Sequence, residues 1–596
     1  MKRIFLIMIT IVSIVQGMIR DRDANDVYAV AEILEKKIIH LAGEKNIEAK
    51  YMKLPNQFHK SPRQVLQKSI EVLQKINKYR ENSNLGRVSV PIYSSDKVLD
   101  EDVYYSLIRL NTEVDLLLKK IHCKHIKMLS KKKTYIDKTS NETYHMIWLA
   151  SLAMDELLGK GFSPTDNYKE SMLIIDIIKF MRNSQGIYEN IVIPQKKIRK
   201  HPNHVLYATN KLLSKISKAE KRLWMEPVDV PQNPQRIITP TEVYDSMQMV
   251  VTELKRIRRR LGIERFYKTK DIKSSKTPSD VLQNIEYAIE LFPKFDVSKE
   301  LIQYNRNSLK RTINDIYSLS EFIVKKVQYL KEVKGVKVNS KAPPMIYGLN
   351  KMHIYQKAIE TMEKINKLRV KDKLYEVAIP LSPTKEKSTD AVNELLLMID
   401  DELSIIMERN GIENVQRWSY VFDRKKYTDK TPSDIYHNLW KISSIIDVFR
   451  GVQYSPNETY ILATKLEQRI DNIVKYLIVN VKKIDLKQSN AKRASDVFTL
   501  SLKLYETLVT IEKRANISIG SVEIPKEKSI TPDTVYNALR VINATLIELS
   551  IHFGIDSSVE EEIVISSKKT PSDVYDVVYK SYETLKTLLK DSSYED

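Results

Sequence analysis

Thr431-Pro432-Ser433-Asp434-Ile435-Tyr436 reads as the start of a helix, and it recurs as Thr277-Pro278-Ser279-Asp280-Val281-Leu282 and Thr570-Pro571-Ser572-Asp573-Val574-Tyr575. Ser or Thr at the N-cap accepts a hydrogen bond from an otherwise unpaired helix N–H. Pro suits the first helical position, where its missing N–H costs nothing. The acidic residue three places after the cap completes a capping box and sits favourably on the positive end of the helix dipole. Looser copies are Thr239-Pro240-Thr241-Glu242-Val243-Tyr244 and Thr531-Pro532-Asp533-Thr534-Val535-Tyr536, and Ser163-Pro164 and Ser455-Pro456 open two more.

An apolar stripe follows each start. Val535, Leu539, Ile542, Leu546, Leu549 and Phe553 recur at alternating steps of four and three, as do Val243, Met247, Val250, Leu254, Ile257 and Leu261, and Val392, Leu396, Ile399, Leu403 and Ile406. That is one face of an α-helix. Taking the sixth residue of each motif as an anchor gives Tyr28, Leu66, Tyr104 and Tyr144, then Tyr168, Leu206, Tyr244 and Leu282. The series continues near Tyr304, Tyr347, Asn393 and Tyr436, then at Tyr460, Phe498, Tyr536 and Tyr575. A short step follows every fourth helix. The chain is therefore expected to be all-α, with four tandem repeats of a four-helix unit of about 140 residues, forming an elongated helical array. The units are expected at 18–160, 161–293, 294–451 and 452–596. The first helix of the third unit, near Ser298, has the poorest motif.

The connections repeat as well. An extended segment ending in Pro separates the second and third helices: Val90-Pro91, Val230-Pro231, Ile379-Pro380 and Ile524-Pro525. Gly262-Ile263, Gly411-Ile412 and Gly554-Ile555 read as stops of the third helices, with His125-Ile126 in their place in the first unit. Long linkers allow helices within a unit to run parallel. Short links at Gly159–Ser163 and Gly451–Ser455 are expected to make the fourth helix of one unit the antiparallel neighbour of the next unit's first.

The N-terminus reads as an export signal spanning residues 1–17: basic Lys2 and Arg3, then an apolar run from Ile4 to Val15, too short for a membrane span. Cys123 is the one cysteine in the sequence, so no intramolecular disulfide and no multi-cysteine metal cluster can form. His122, Cys123 and His125 are the densest group of metal-type side chains. They fall where other units end a helix, and a helix terminus is the expected reading; no metal or cofactor site is assigned.

Catalytic motifs are absent from the sequence: no His-Glu-x-x-His, no Gly-x-Ser-x-Gly and no Gly-rich phosphate loop. No catalytic residue is assigned and an enzyme is not expected. The anchor tyrosines have two readings, a row of ligand-stacking rings or plugs at helix starts; Leu and Phe at the same position favour plugs. A formal net charge of +21, with basic clusters at Lys131–Lys133, Lys196–Lys200 and Arg256–Arg260, suggests attraction to anionic surfaces. The expected function is an exported, non-enzymatic binding scaffold or adaptor in the periplasm or envelope, whose partner is another envelope or extracellular protein. The alternatives are a binder of anionic envelope polymers or lipid head groups, and a small-ligand or sensory protein. Nucleic acid is not an expected partner.

Overall fold

The computed structural model describes residues 22–47, 60–90, 98–159, 162–261, 274–295, 311–337, 343–380, 386–412, 427–451, 454–476, 489–514, 522–524, 530–555, 563, 565 and 567–590. Among the described residues the chain is all-α, with seventeen helices and one isolated bridge, Tyr347 to Glu523. The expected signal at 1–17, the anchor at Tyr304 and the stop at Gly262-Ile263 lie outside the described residues. No described helix is long and apolar enough to cross a membrane.

The chain divides into two compact units at residues 310 and 311. The first unit holds α1 (Ala24–Gly43), α2 (Pro62–Asn82), α3 (Asp100–Lys120), the single turn α4 (Ile126–Leu129) and α5 (Ser140–Leu158). It continues with α6 (Pro164–Ser184), α7 (Pro202–Arg222), α8 (Pro240–Arg260) and α9 (Pro278–Leu291). The second unit holds α10 (Ile313–Val333), α11 (Lys351–Lys371), α12 (Thr389–Arg409) and α13 (Pro432–Arg450). It ends with α14 (Pro456–Tyr476), α15 (Ala494–Arg514), α16 (Pro532–His552) and α17 (Pro571–Lys590).

The long helices pack in groups of four, and every group has the same wiring. The first and second helices each touch the third and fourth: α1 and α2 pack on α3 and α5, α6 and α7 on α8 and α9, α10 and α11 on α12 and α13, and α14 and α15 on α16 and α17. All four helices of a bundle point the same way. In the second bundle Pro164, Pro202, Pro240 and Pro278, the first residues of four helices, line one small cavity together with Asn167, Val205, Val243 and Val281. Only parallel helices can bring four N-termini to one place. A linker of about 17 residues, extended at roughly 3.3 Å per residue, comfortably returns along a helix of about 30 Å.

Those returning linkers are pinned. Asn77 makes two hydrogen bonds to the backbone of Val88, at 2.9 and 2.7 Å, and Arg80 donates to the Gly86 carbonyl at 2.8 Å. Asn366 and Arg369 do the same for Val377 and Tyr375 in the third bundle. Arg80 and Arg369 are fully buried, each paired with a buried glutamate, Glu113 at 3.1 Å and Glu402 at 2.6 Å.

The helix-start motif does more than cap. Thr431 and Asp434 form the expected capping box, and Thr570 and Asp573 exchange the same bonds. The residue at the second helical position, however, reaches a neighbouring helix. Asn25, Thr165, Asn314 and Asn457, on the first helices, accept from the backbone N–H of Lys138, Lys276, Lys430 and Lys569, which precede the caps of the fourth helices. Asn141, Ser279, Ser433 and Ser572, on the fourth helices, accept in turn from Lys60, Lys200, Leu349 and Lys492, which precede the caps of the second. Each bundle therefore has the N-termini of its first, fourth and second helices tied in sequence, fixing their common height.

Three expectations are corrected. The first helix of the third bundle starts at the cap Thr312, not near Ser298, and its anchor is Tyr317 rather than Tyr304. The second starts at the cap Asn350 with anchor Tyr355; Tyr347 precedes it and is exposed. Both starts lack the Pro that makes the motif conspicuous. With them in place the first, second and third caps of every bundle stand 38 residues apart: Asp23, Ser61 and Leu99; Ser163, His201 and Thr239; Thr312, Asn350 and Ser388; Ser455, Arg493 and Thr531. Thirdly, the principal contact between successive bundles is α2 on α8 in the first unit and α11 on α16 in the second, not fourth helix on first.

Candidate functional site

The α2–α8 contact is built from charge. Lys68, on α2, is buried between Glu71 at 2.7 Å and Asp245 of α8 at 3.4 Å, with its ammonium 5.5 Å above the Trp148 ring. Two turns on, Lys75 is fully buried and reaches Asp155 at 2.8 Å, the Ser151 hydroxyl at 2.6 Å and Glu71 at 3.4 Å. Nearer the start of α2, Arg63 pairs with Glu253 at 3.2 Å and caps the Glu226 and Pro227 carbonyls. Arg256 also reaches Glu220 at 3.2 Å. The antiparallel run is clear: the start of α2 meets the end of α8, and its middle meets Asp245 near the start of α8.

Titration in this seam follows from crowding. Burial opposes ionisation of Glu71, but Lys68 and Lys75 and hydrogen bonds from Lys68 and Ser151 override it and hold the carboxyl at about 2. Asp245 has the opposite fate. Burial and the adjacent Glu71 charge push it up to about 7. Two lysines face three carboxylates here, so one retained proton neutralises the group.

The second unit repeats the seam on α11, 289 residues further along the chain: Lys68, Glu71 and Lys75 recur as Lys357, Glu360 and Lys364. Lys364 also pairs with Asp447, at the position of Asp155, and Lys357 stands 5.2 Å above Trp440, at that of Trp148. Asp245 itself becomes Asn537, which accepts from Lys357 at 2.6 Å. The displaced carboxylate reappears one turn earlier as Asp533, which Asn537 contacts at 3.2 Å and whose burial pushes its pKa up. Arg63 has no counterpart: Met352 stands there and packs on Ala544 and Ile547. A stacked aromatic pair closes each seam, Phe162 on Tyr244 and Tyr454 on Tyr536, both with centroids 3.6 Å apart. Every cation in the middle of the seam has a carboxylate partner, and the arrangement fixes register between two bundles. It presents no nucleophile paired with a base.

The residues singled out in the sequence find places. Anchor tyrosines are staples, not open rings. Lys138, Lys276, Lys430 and Lys569 lie 4.5 to 4.9 Å above Tyr28, Tyr168, Tyr317 and Tyr460, and Lys60 and Lys492 lie above Tyr144 and Tyr575. The lysine before one cap thus covers the anchor of a neighbouring helix. The basic clusters are engaged too: Lys132 with Asp26, Lys196 with Asp280, Lys197 with Glu286 and Arg256 with Glu220 and Glu253. Cys123 lies 3.3 Å from His40 of α1, and His125 stacks edge-on to the same ring; His122 is exposed.

Sequence reasoning missed one surface. The two linkers of the second bundle expose Tyr188, Val192, Ile193, Ile198 and Ile237, with Val192 at 86% and Ile237 at 90%. Among the described linker residues of the other bundles, Val88 and Val377 are buried and Met128, Ile136 and Tyr347 are exposed, so the second bundle differs in having four such side chains on one linker. The chain matches no protein-family model, no curated protein and no solved structure.

Proposed function

We propose that this chain is an exported, non-enzymatic helical scaffold that binds another envelope or extracellular protein through the second bundle. The observation that carries the reading is the apolar side chains exposed on that bundle's linkers, Tyr188, Val192 and Ile193 on one and Ile237 on the other. Exposed aliphatic and aromatic groups on a rigid support suit protein association. The linkers are held to their helices by polar bonds, Gln283 to the Pro194 carbonyl at 2.8 Å and Asn203 to that of Arg236 at 2.7 Å, so the exposed groups are presented rather than loose. The anionic-polymer reading rests on the net charge of +21, which internal pairing of Lys132, Lys196, Lys197 and Arg256 leaves unchanged, and it stands as the alternative.

The test is crosslinking in the native cell followed by affinity isolation and mass spectrometry. One near-stoichiometric protein partner is expected. The double substitution Val192→Glu with Ile193→Glu should abolish its recovery while leaving the helical circular dichroism unchanged. Undiminished recovery would remove this surface from the reading, and recovery of polymer or lipid alone, lost steeply with salt, would replace it.

A further inference from the structure

The first bundle departs from the repeat at one place, where α1 and α3 end. In the third and fourth bundles the third helix closes as Asn410-Gly411-Ile412 and Phe553-Gly554-Ile555. Gly takes the left-handed conformation, and the buried Ile donates back to the last turn, to Met407 and Ser550. The first bundle makes the same closure with Ile121-His122-Cys123. His122 adopts φ 59° without being glycine, and the Cys123 N–H donates to Leu118 at 3.0 Å. Cys123 therefore stands in the place of Ile412 and Ile555, a substitution hidden from the sequence while His125-Ile126 was read as the stop.

Parallel helices put the end of α1 beside it. His40, in the last turn of α1, and Glu44, at its C-cap, face Cys123. His40 Nε2 is 3.3 Å from Cys123 Sγ and 3.3 Å from the Glu44 carboxylate, and all three donor atoms lie within 4.8 Å of one another. Counted from the N-caps, the residues matching His40 in the other bundles are Phe180, Tyr329 and Asn472, and those matching Glu44 are Ser184, Val333 and Tyr476. Three positions in three different turns change together, in one bundle only, to side chains that bind transition metals.

We propose that His40 Nε2, a Glu44 carboxylate oxygen and Cys123 Sγ form a binding site for one divalent transition metal of the zinc type. A tetrahedral Zn²⁺ with nitrogen and oxygen at about 2.0 Å and sulfur at about 2.3 Å sets its ligand atoms roughly 3.3 to 3.6 Å apart. Both His40 separations already fit these values, and the Glu44 oxygen and Cys123 Sγ, within 4.8 Å of each other, need to close by about 1.3 Å at most. Mixed sulfur, nitrogen and oxygen donors suit a borderline-soft ion and not calcium or magnesium. The fourth position is left to water, or to His125 after a side-chain movement, since its ring centroid is 6.0 Å from that of His40. Binding releases the Cys123 thiol proton to solvent and no redox change is involved. The ion ties the C-terminal ends of α1 and α3.

The test titrates the full chain, reduced and metal-free, with Co²⁺. One equivalent should produce a thiolate-to-cobalt charge-transfer band with tetrahedral ligand-field absorption, displaced by Zn²⁺. Because Cys123 is the one cysteine in the sequence, that band reports this site alone. Cys123→Ser should abolish it, and His40→Gln and Glu44→Gln should each weaken affinity by about tenfold or more. Circular dichroism checks that each variant keeps its fold, and a Zn²⁺-dependent rise in the melting temperature of the unaltered chain gives an independent reading. No band in the reduced protein, or a band unchanged in both His40→Gln and Glu44→Gln, would overturn the proposal.

Discussion

At the residue scale, the motif Thr-Pro-Ser-Asp distributes four jobs over four positions. Thr570 and Asp573 exchange cap bonds, Pro571 starts the helix, and Ser572 accepts from the backbone of Lys492 at 3.0 Å. The first three jobs were legible, because they are local and their chemistry is written in adjacent residues. The fourth was not, because its partner lies 80 residues away in the chain. Thr570→Ala should cost about 0.5 to 2 kcal/mol in the stability of the second unit. Ser572→Ala should cost about 0.5 to 1.5 kcal/mol although it leaves the cap intact. Urea midpoints of the two variants measure both; a neutral Ser572→Ala would mean that water replaces the lost acceptor. The anchor tyrosines follow the same logic. Their plugging role was inferred from substitution by Leu and Phe, and the lysines that cover them explain it: the lysine precedes a different cap and sits far off in sequence.

At the scale of elements, the seam between bundles concentrates buried charge: Arg63, Lys68, Glu71, Lys75 and Glu253 are all buried there. A buried ion pair is weak evidence of net stabilisation, but removing one partner leaves the other uncompensated. Lys75→Ala strands Asp155 and leaves Glu71 to Lys68 alone, and should cost about 3 to 5 kcal/mol. Lys78→Ala, one turn along on the half-exposed side and 3.8 Å from Asp166, should cost about 1 kcal/mol or less. Chemical denaturation of the two variants separates them. Asp245 predicts a pH effect of definite sign. Its folded pKa of about 7 lies above the ordinary aspartate value of 3.8, so between those values the folded state holds a proton that the unfolded state releases. Its contribution is present in full below pH 4 and is lost as pH rises through 7. Asp245→Asn, which installs the amide that the second unit carries as Asn537, should therefore gain stability relative to the unaltered chain as pH rises from 4 to 7. The difference should be flat above that. Melting temperatures across pH 4 to 8 check it, and an unchanging difference would show that Asp245 ionises normally. The helices behind this seam were legible from the 3.6-residue stripe. Which helices would meet was not, because Lys68 and Lys75 look like ordinary polar-face residues until α8 is placed against them.

At the scale of the molecule, the period of construction is two bundles rather than one. The Lys68, Glu71 and Lys75 group reappears as Lys357, Glu360 and Lys364, the Asn77 and Arg80 linker clamp reappears at Asn366 and Arg369, and the aromatic stack of Phe162 on Tyr244 reappears as Tyr454 on Tyr536. Odd bundles match odd and even match even. A single four-helix period read from motif spacing conceals this alternation, since the caps repeat identically in every bundle while the distinguishing residues are buried charges on α2 and its counterpart. The two compact units follow the same division. Residues 311–596 expressed alone should consequently fold, with a cooperative thermal transition and full helical circular dichroism. Residues 22–158, the first bundle alone, should not: without α7 and α8, Arg63 loses Glu253 and the Glu226 and Pro227 carbonyls, and Lys68 loses Asp245. Those side chains would meet water, and the packed face of α2 that α8 covers would be exposed with them, a loss set against a total stability of about 5 to 15 kcal/mol for a domain. Pulse proteolysis of the two fragments decides the matter. A resistant 22–158 fragment would return the single bundle to the status of folding unit and leave the seam as a contact between independent parts; a protease-sensitive one, beside a resistant 311–596, would make the paired bundle the smallest piece of this chain that holds its shape.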